Sequence, residues 1–393
     1  MKHRLICFVL AVILLCTLTA YISGCVQSTH DNLAPTVGPK EEEQGDSSAE
    51  GGKNGGVNHN GVGSNTNKGD DGSISGTDND IKQDSKVFLS DSELLEVRPN
   101  ELGEVMILMY HQIGEPEGEW TRTPENFRRD LEELYCRGYR LVSLLDFVQG
   151  EIDLPPGKTP VILTFDDGSR GQFNYLDGEN GPELDPNSAV GILEDFYREY
   201  PDFGRAATFY IYYPLPFRQK DYIQKKLEFL RDNGYEIGNH SYTHANLSKI
   251  SPADAIKELA LNAGKTSEIL PGYQVQSLAL PYGAFPKDRI LLAAGGYEGF
   301  VYRNEAVLLV GYRPAASPFS TNFDYQRLPR VRASETKVEG VGLYDWLKYF
   351  EVYPERRYIS DGNLDLITIP EEYEYRLKLE SVGEREVRTY SDE

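Results

Sequence analysis

Histidine is scarce in this sequence, with six residues among 393. Three of the six lie near the N-terminus, so the rest of the chain has only three: His111, His240 and His244. Each of these follows a short apolar run of the length of a β-strand. The sequence has no His-Glu-x-x-His, the zinc-binding pattern of many metallopeptidases, which excludes a peptidase of that kind. A domain that uses histidine so sparingly is not expected to scatter it at random, and the three are candidate site residues.

Positive charge is also in short supply, with 40 Lys and Arg against 62 Asp and Glu and a net charge of −22. Because nucleic-acid binding depends on cationic groups that neutralise phosphates, no nucleic-acid partner is expected.

From Val26 to about Ser85, large apolar and aromatic residues are almost absent, whereas Gly, Asn, Ser and Asp abound. Such a stretch cannot bury enough surface to offset its ordering entropy, and we predict a disordered tether there.

The first 24 residues are typical of a targeting segment. Lys2, His3 and Arg4 precede an apolar run that ends at Ala20, shorter than the roughly twenty residues of a transmembrane helix. The sequence Ile22-Ser23-Gly24-Cys25 follows, and it resembles the lipobox of bacterial lipoproteins, whose Cys becomes the acylated N-terminus. We therefore expect lipidation of Cys25 and anchoring on the outer side of the cell membrane. The alternative is an ordinary signal peptide in which Cys25 is incidental.

Strand-like and helix-like segments alternate after the tether. Continuous apolar runs predict strands buried on both faces, as in a parallel sheet, at 105–110, 160–165, 206–211, 235–238 and 277–280. Amphipathic segments predict helices at 124–137, 219–233 and 252–270. The alternation predicts an α/β fold, either wound or barrel-shaped. Residues 169–187 are rich in Gly, Asp and Asn and predict a long loop after a strand end, where α/β folds place ligands.

Two motifs carry chemistry. Thr164-Phe165-Asp166-Asp167-Gly168 ends a predicted strand, and since neighbouring residues of an extended chain face apart, one carboxylate can bind a metal while the other acts as a base. His240 and His244 are four residues apart and can aim two imidazoles at one point, as zinc requires. Together they predict a metal site with positions left open for water and substrate. The alternatives are an acidic turn and a coincidental histidine pair.

These motifs resemble the first two of the polysaccharide deacetylases, the NodB-like carbohydrate esterase family 4, and Leu280-Pro281-Tyr282-Gly283 is similar to a third. The resemblance covers roughly residues 105–332 and implies a distorted (β/α) barrel of about seven strands. It also implies the roles of the motif residues. Asp166 is the base, the backbone N–H of Tyr282 binds the oxyanion, and a divalent metal, expected to be zinc, is held by Asp167, His240 and His244.

Two positions depart from the family pattern. Ala279 stands where the family usually has an Arg that pairs with the base, and no His follows His244, although the family's general acid comes late in the domain. Leu108-Met109-Tyr110-His111 resembles the opening strand of the poly-N-acetylglucosamine deacetylase subgroup, in which the motif order is circularly permuted. This implies that His111 is the acid, and Arg330 is the candidate for the missing Arg. A capped strand-end histidine and a surface salt bridge are the respective alternatives.

The sequence thus predicts a signal peptide (1–24), a lipid-anchored tether (25–90) and a catalytic domain with a C-terminal extension (91–393). The expected activity is metal-dependent removal of acetyl groups, N-linked, from an extracellular polysaccharide or oligosaccharide. Peptidoglycan, an exopolysaccharide and a chitin-like glycan remain open as substrates. A carbohydrate-binding lipoprotein that has lost catalysis and an O-acetyl esterase of the xylan type are the competing interpretations.

Overall fold

The computed structural model describes residues 88–391 of the chain. The predicted signal peptide, most of the predicted tether and Cys25 lie outside these residues. None of the helices in the described range combines the length and the apolarity that crossing a membrane requires.

A parallel sheet of eight strands organises the domain. In chain order its strands are β1 (Met106–Tyr110), β2 (Tyr139–Leu141), β3 (Thr159–Phe165), β4 (Thr208–Ile211), β5 (Glu236–Asn239), β6 (Ser277–Ala279), β7 (Ala306–Leu308) and β8 (Val331–Arg332). Seven of them pair in the order β7-β6-β5-β4-β3-β1-β8, and β2 pairs with β3. This path curls into a half-barrel, so the predicted distorted (β/α) barrel is confirmed.

Strand β3 is the longest strand of the sheet and pairs with two strands, β2 and β4, along one of its edges. Its first half pairs with β2, and its last two residues pair with β4 at Thr208 and Phe209. Its other edge pairs with β1 over five residues. Both β1 and β3 are buried at every position, which agrees with the continuous apolar runs from which they were predicted. The carboxyl end of β3 therefore lies between those of β1 and β4.

Among the described residues, α-helices alternate with the strands of the sheet. They are α1 (Asp91–Val97), α2 (Pro124–Cys136), α3 (Leu144–Gln149), α4 (Ala189–Glu199), α5 (Ile223–Asp232), α6 (Pro252–Ile269), α7 (Leu343–Val352) and α8 (Leu379–Val382). The predicted starts of α2 and α6 are confirmed, because Thr123 and Ser251 accept hydrogen bonds from backbone N–H groups of the first turns. Helix α5 begins at Ile223, four residues later than predicted, because Lys220–Tyr222 form a separate 3-10 turn.

The predicted long loop at 169–187 is wrong in part. It contains an antiparallel hairpin of Tyr175–Gly178 and Gly181–Leu184, whose turn uses Gly181 at a φ of 116°. The glycines and acidic residues of this segment hid the strands, because the hairpin is largely exposed and has no apolar run. Three further two-stranded pairs lie outside the main sheet: Gln112–Ile113 with Thr121–Arg122, Ala294–Tyr297 with Phe300–Arg303, and Leu366–Pro370 with Glu386–Tyr390.

A buried polar network joins the end of β1 to α2 and α7. The Asp130 carboxylate accepts hydrogen bonds from Arg122 at 2.6 and 2.9 Å, from the Tyr110 hydroxyl at 3.1 Å and from the Tyr344 hydroxyl at 2.9 Å. Asp130 is fully buried, so these donors replace the water that its charge loses. The network fixes Tyr110 and Arg122, which lie on either side of the segment that begins with His111.

Candidate active site

The candidate site forms where neighbouring strands end. His111 follows β1, the carboxylates of Asp166 and Asp167 follow β3, and His240 follows β5. Tyr282 lies in a short 3-10 turn just after β6. Because the strands are parallel, their carboxyl ends meet at one rim of the barrel, which is where this class of fold positions its reactive groups. Arg330 differs, because it precedes β8 and reaches the rim from the interior of the barrel.

Asp167, His240 and His244 meet at one point, as predicted, with ligand atoms that all lie within 4.8 Å of one another. The Asp167 Oδ1 atom is 3.5 Å from Nε2 of His240 and 3.3 Å from Nε2 of His244. Ligands bound at about 2.1 Å to a tetrahedral zinc ion lie about 3.4 Å from one another. The two distances from Asp167 to the histidine nitrogens therefore match the ligand spacing around an ion of that size.

The opposite ring nitrogens of the two histidines are engaged. His240 Nδ1 lies 2.8 Å from the Ala279 carbonyl oxygen and therefore carries the hydrogen, which leaves Nε2 as the lone-pair donor. His244 Nδ1 lies 3.2 Å from the Tyr282 hydroxyl. Burial and the neighbouring His240 lower the pKa of His244. Burial works to raise the pKa of Asp167, but the His240 imidazole outweighs it and the pKa is lowered. A neutral imidazole and an ionised carboxylate are the forms that bind metal.

The backbone around the site is held in rarely populated conformations. Asp167, Ser241, His244 and Tyr282 have φ of 78°, 56°, 58° and 60°, the left-handed region that side-chain-bearing residues seldom adopt. Gly168 follows with a φ of 53°, and a Cβ there would meet Ile211 at 3.2 Å. The two aspartates do face apart, but the extended backbone assumed from the sequence is wrong at Asp167. The left-handed turn, rather than strand alternation, directs its carboxylate toward the histidines.

Asp166 is paired with Arg330 in the interior of the barrel. The guanidinium donates from Nη1 to Oδ1 and from Nη2 to Oδ2, both at 2.7 Å, and the two side chains are 0% and 1% exposed. Arg330 also donates to the Thr164 hydroxyl at 3.1 Å and to the Leu309 carbonyl at 2.8 Å. Burial works to raise the pKa of Asp166, but the charge of Arg330 overrides it and holds that pKa well below its usual range. Arg330 is thus no surface salt bridge.

His111 lies beside the same carboxylate. Its Nε2 atom is 3.9 Å from Oδ2 of Asp166, and its backbone carbonyl accepts a hydrogen bond from the Gln172 side chain at 2.7 Å. The same Gln172 amide donates to the Asp166 carbonyl, so one side chain ties together the loops that follow β1 and β3. Burial lowers the pKa of His111, opposed by the charges of Asp166 and Asp167. The structure therefore places His111 next to Asp166 and outside the cluster of Asp167, His240 and His244.

Other side chains that support the site were not predicted from the sequence. Besides Gln172, these include Arg218, which donates to the Asp167 carbonyl at 3.3 Å and stacks 4.7 Å from the centre of the Tyr212 ring. Tyr212 in turn lies 5.2 Å from the His244 ring. These residues act through backbone carbonyls and ring contacts, which leave no spacing pattern in a sequence.

The family comparison agrees with this site. Residues 153–297 match the family model described as "Polysaccharide deacetylase". The matched stretch includes both aspartates, both ligand histidines and Tyr282, whereas His111 precedes it and Arg330 follows it. Residues 153–297 are therefore similar to a polysaccharide deacetylase domain.

Among solved structures, the chain is similar to the Streptococcus pyogenes deacetylase PplD in complex with acetate, at 17% identity over 62% of this chain and 97% of that chain, with a TM-score of 0.45. It is 20% identical to the putative polysaccharide deacetylase BA0330 from Bacillus anthracis over 60% of this chain and 67% of that one, with a TM-score of 0.43. IcaB from Ammonifex degensii is 18% identical, with coverage of 62% and 97% and a TM-score of 0.42. Identities and TM-scores this low support no argument about activity.

The geometry of Asp167, His240 and His244 predicts one divalent ion per chain. The double change His240→Ala and His244→Ala removes both imidazoles and should abolish binding, as measured by elemental analysis of protein separated from free metal. His111→Ala is the matched control and should retain the ion, because it removes a neighbouring imidazole that is outside the triad. An unchanged metal content in the double variant would show that the ion is bound elsewhere.

Proposed function

We propose that the domain is a metal-dependent deacetylase that removes N-linked acetyl groups from an extracellular polysaccharide. The observation that supports this most is the buried Asp166–Arg330 pair beside a complete metal triad. A domain that only binds carbohydrate gains nothing from a second carboxylate kept ionised next to the ligand carboxylate. Retention of that pair therefore disfavours the interpretation as a binding lipoprotein that has lost catalysis.

Asp166 is suited to act as the base. A divalent ion held by the triad supplies the acidity that brings the pKa of water from about 16 toward about 7 and polarises the acetyl carbonyl. Asp166 is ionised because of Arg330 and can accept the proton of the attacking water. Since Arg330 occupies both carboxylate oxygens and Asp166 is almost fully buried, the carboxylate cannot rotate away. A base of low pKa also releases its proton readily to the next acceptor.

His111 is suited to be that next acceptor and the acid for the leaving group. Its Nε2 atom is the nearest imidazole nitrogen to Asp166 at 3.9 Å, a distance that one small movement or one water closes. Burial lowers the pKa of His111 in spite of the charges of Asp166 and Asp167, so its protonated form gives up the proton easily. An amine leaves poorly without a proton, so the cleavage of an amide requires this step more than the cleavage of an ester does.

Three further elements complete the proposal. Zinc is the proposed ion, because two imidazoles and one carboxylate are the donors it commonly takes in catalytic sites. The backbone N–H of Tyr282 is the proposed oxyanion donor, as the family resemblance implies, and such a donor is commonly worth several kcal/mol. The N-terminal motif ending in Cys25 supports a lipid anchor on the outer side of the cell membrane. The proposed substrate is peptidoglycan, an exopolysaccharide or a chitin-like glycan.

The change His111→Ala should reduce turnover on N-acetylated oligosaccharides by about two to four powers of ten, the usual range for lost acid–base catalysis. An aryl acetate leaves as a stable phenolate and needs little proton donation, so its hydrolysis should be much less affected. Acetate release from both substrates is the measurement, with metal content determined alongside. Equal losses on the two substrates, or loss of the ion, would mean that His111 supports the site without donating a proton.

The change Cys25→Ala should abolish acylation and leave the protein unprocessed or released from the membrane. Incorporation of a labelled fatty-acid analogue, together with membrane fractionation, measures this directly. Cys16→Ala is a suitable control, since it removes a cysteine from the apolar run while leaving the lipobox-like sequence intact. Label that persists in the Cys25→Ala protein would refute the proposed anchor.

A further inference from the structure

Trp120 stands over the proposed acid. Its ring lies 4.7 Å from the His111 ring, and the Arg332 guanidinium lies 4.8 Å from the Trp120 ring. The side chain is nevertheless 42% exposed. An indole that contacts two polar groups and still presents much of its surface to solvent contributes little to the core. Its position at the rim, directly beside the acid, gives that exposed surface a use in substrate binding.

The backbone of Trp120 is held firmly at this place. Its carbonyl accepts a hydrogen bond from the Gln112 N–H at 3.0 Å, one residue after His111. The preceding Glu119 accepts hydrogen bonds from Arg332 at 3.3 Å and Lys337 at 3.2 Å. Arg122, two residues further on, is fixed by the buried Asp130. The ring is therefore preorganised, which lowers the entropy lost when a ligand packs against it.

A second exposed ring lies beside His244. Tyr282 is 65% exposed and its ring lies 4.7 Å from His244. Trp120 contacts the imidazole next to Asp166, and Tyr282 contacts a ligand of the triad. An acetyl group bound between Asp166 and the triad would thus have exposed aromatic rings near it. Sugar rings have an apolar face of C–H groups, and such faces pack well on preorganised aromatic surfaces.

We propose that Trp120 is a specificity-determining residue that stacks on the sugar unit adjacent to the acetylated one, on the side of the acid. The inference rests on the proposed function, because it assigns the substrate of that same site. It predicts that the enzyme prefers oligomers over single N-acetylglucosamine units. It also predicts that Trp120 acts mainly through substrate binding rather than through the chemical step.

Kinetics separate this role from simple support of His111. On a tetramer of N-acetylglucosamine, β-1,4- or β-1,6-linked, Trp120→Ala should raise KM about tenfold, the order expected for one lost aromatic contact. Trp120→Phe should recover part of the loss, whereas Trp120→Leu, which fills space without a π face, should not. Hydrolysis of a small aryl acetate should fall by much less than hydrolysis of the tetramer in all three, because this substrate has no neighbouring sugar unit to stack on the ring. A fall in kcat with unchanged KM on the tetramer would overturn the proposal, because it would make Trp120 a positioning residue for His111.

The sequence also allows a direct binding test, since Trp120 and Trp346 are the only two tryptophans. Trp346 lies on α7, donates to the Tyr312 carbonyl and packs against Tyr349, so Trp346→Phe preserves an aromatic ring there. In this full-length variant, with turnover stopped by a chelator, the tetramer should change the Trp120 emission saturably and the monosaccharide should not. Trp120→Phe, which keeps only Trp346, is the matched control and should show no change. If Trp346→Phe fails to fold, the same titration is done on wild type against Trp120→Phe.

The outcomes distinguish the two proposals. Acetate release from the tetramer without any change in Trp120 emission would refute the role of Trp120 and leave the deacetylase proposal standing. A saturable change in emission without acetate release from any oligosaccharide would refute the deacetylase proposal and leave Trp120 as a sugar-binding residue.

Discussion

The guanidinium of Arg330 lies inside the barrel beneath the rim, and all the chemistry proposed for this domain is arranged around the carboxylate that it holds. Its hydrogen bonds go to both oxygens of Asp166, to the Thr164 hydroxyl and to the Leu309 carbonyl. A buried ion pair is expensive to desolvate and is poor evidence for stability. The role of this pair is to fix the charged carboxylate of Asp166 at the end of β3. The left-handed turn at Asp167 directs the next carboxylate to the proposed metal site.

The pairing of Asp166 with Arg330 also explains how the domain accommodates two departures from the deacetylase sequence pattern, the absence of an Arg at position 279 and of a His late in the domain. Ala279, where the family usually has the partner of the base, is buried, and its carbonyl instead orients His240. The guanidinium comes from the start of β8, whose neighbour in the sheet is β1. β1 also supplies His111 at its carboxyl end. The adjacent strands β1 and β8, which are far apart in the sequence, thus bring the proposed acid His111 and the proposed partner Arg330 to the carboxylate of Asp166. The proposed metal ligands are the same as in the family pattern.

Much of this could be predicted from the sequence, for physical reasons that differ between elements. β1 and β3 are continuous apolar runs, and strands buried on both faces leave that pattern. The cluster of Asp167, His240 and His244 was predictable because histidine is rare in this sequence and two of the histidines lie four residues apart. Arg330 could be named as the candidate partner of Asp166 only from the family resemblance, because their pairing spans 164 residues and depends on strand order, which local patterns do not encode. Three other features also produce no periodic pattern in the sequence. These are the supporting amide of Gln172, the exposed hairpin at Tyr175–Leu184 and the contact of Trp120 with His111.

The central claim is that Arg330 serves catalysis through Asp166. The most direct test is a double-mutant cycle on the rate of acetate release from an N-acetylated oligosaccharide, with Asp166→Asn, Arg330→Met and the double variant, and with metal content and circular dichroism measured for each. If Arg330 acts through Asp166, each single change should reduce the rate by about two orders of magnitude or more, and the double variant should be no slower than Asp166→Asn alone. Losses that simply multiply in the double variant would contradict the account, because they would show that the two residues contribute independently.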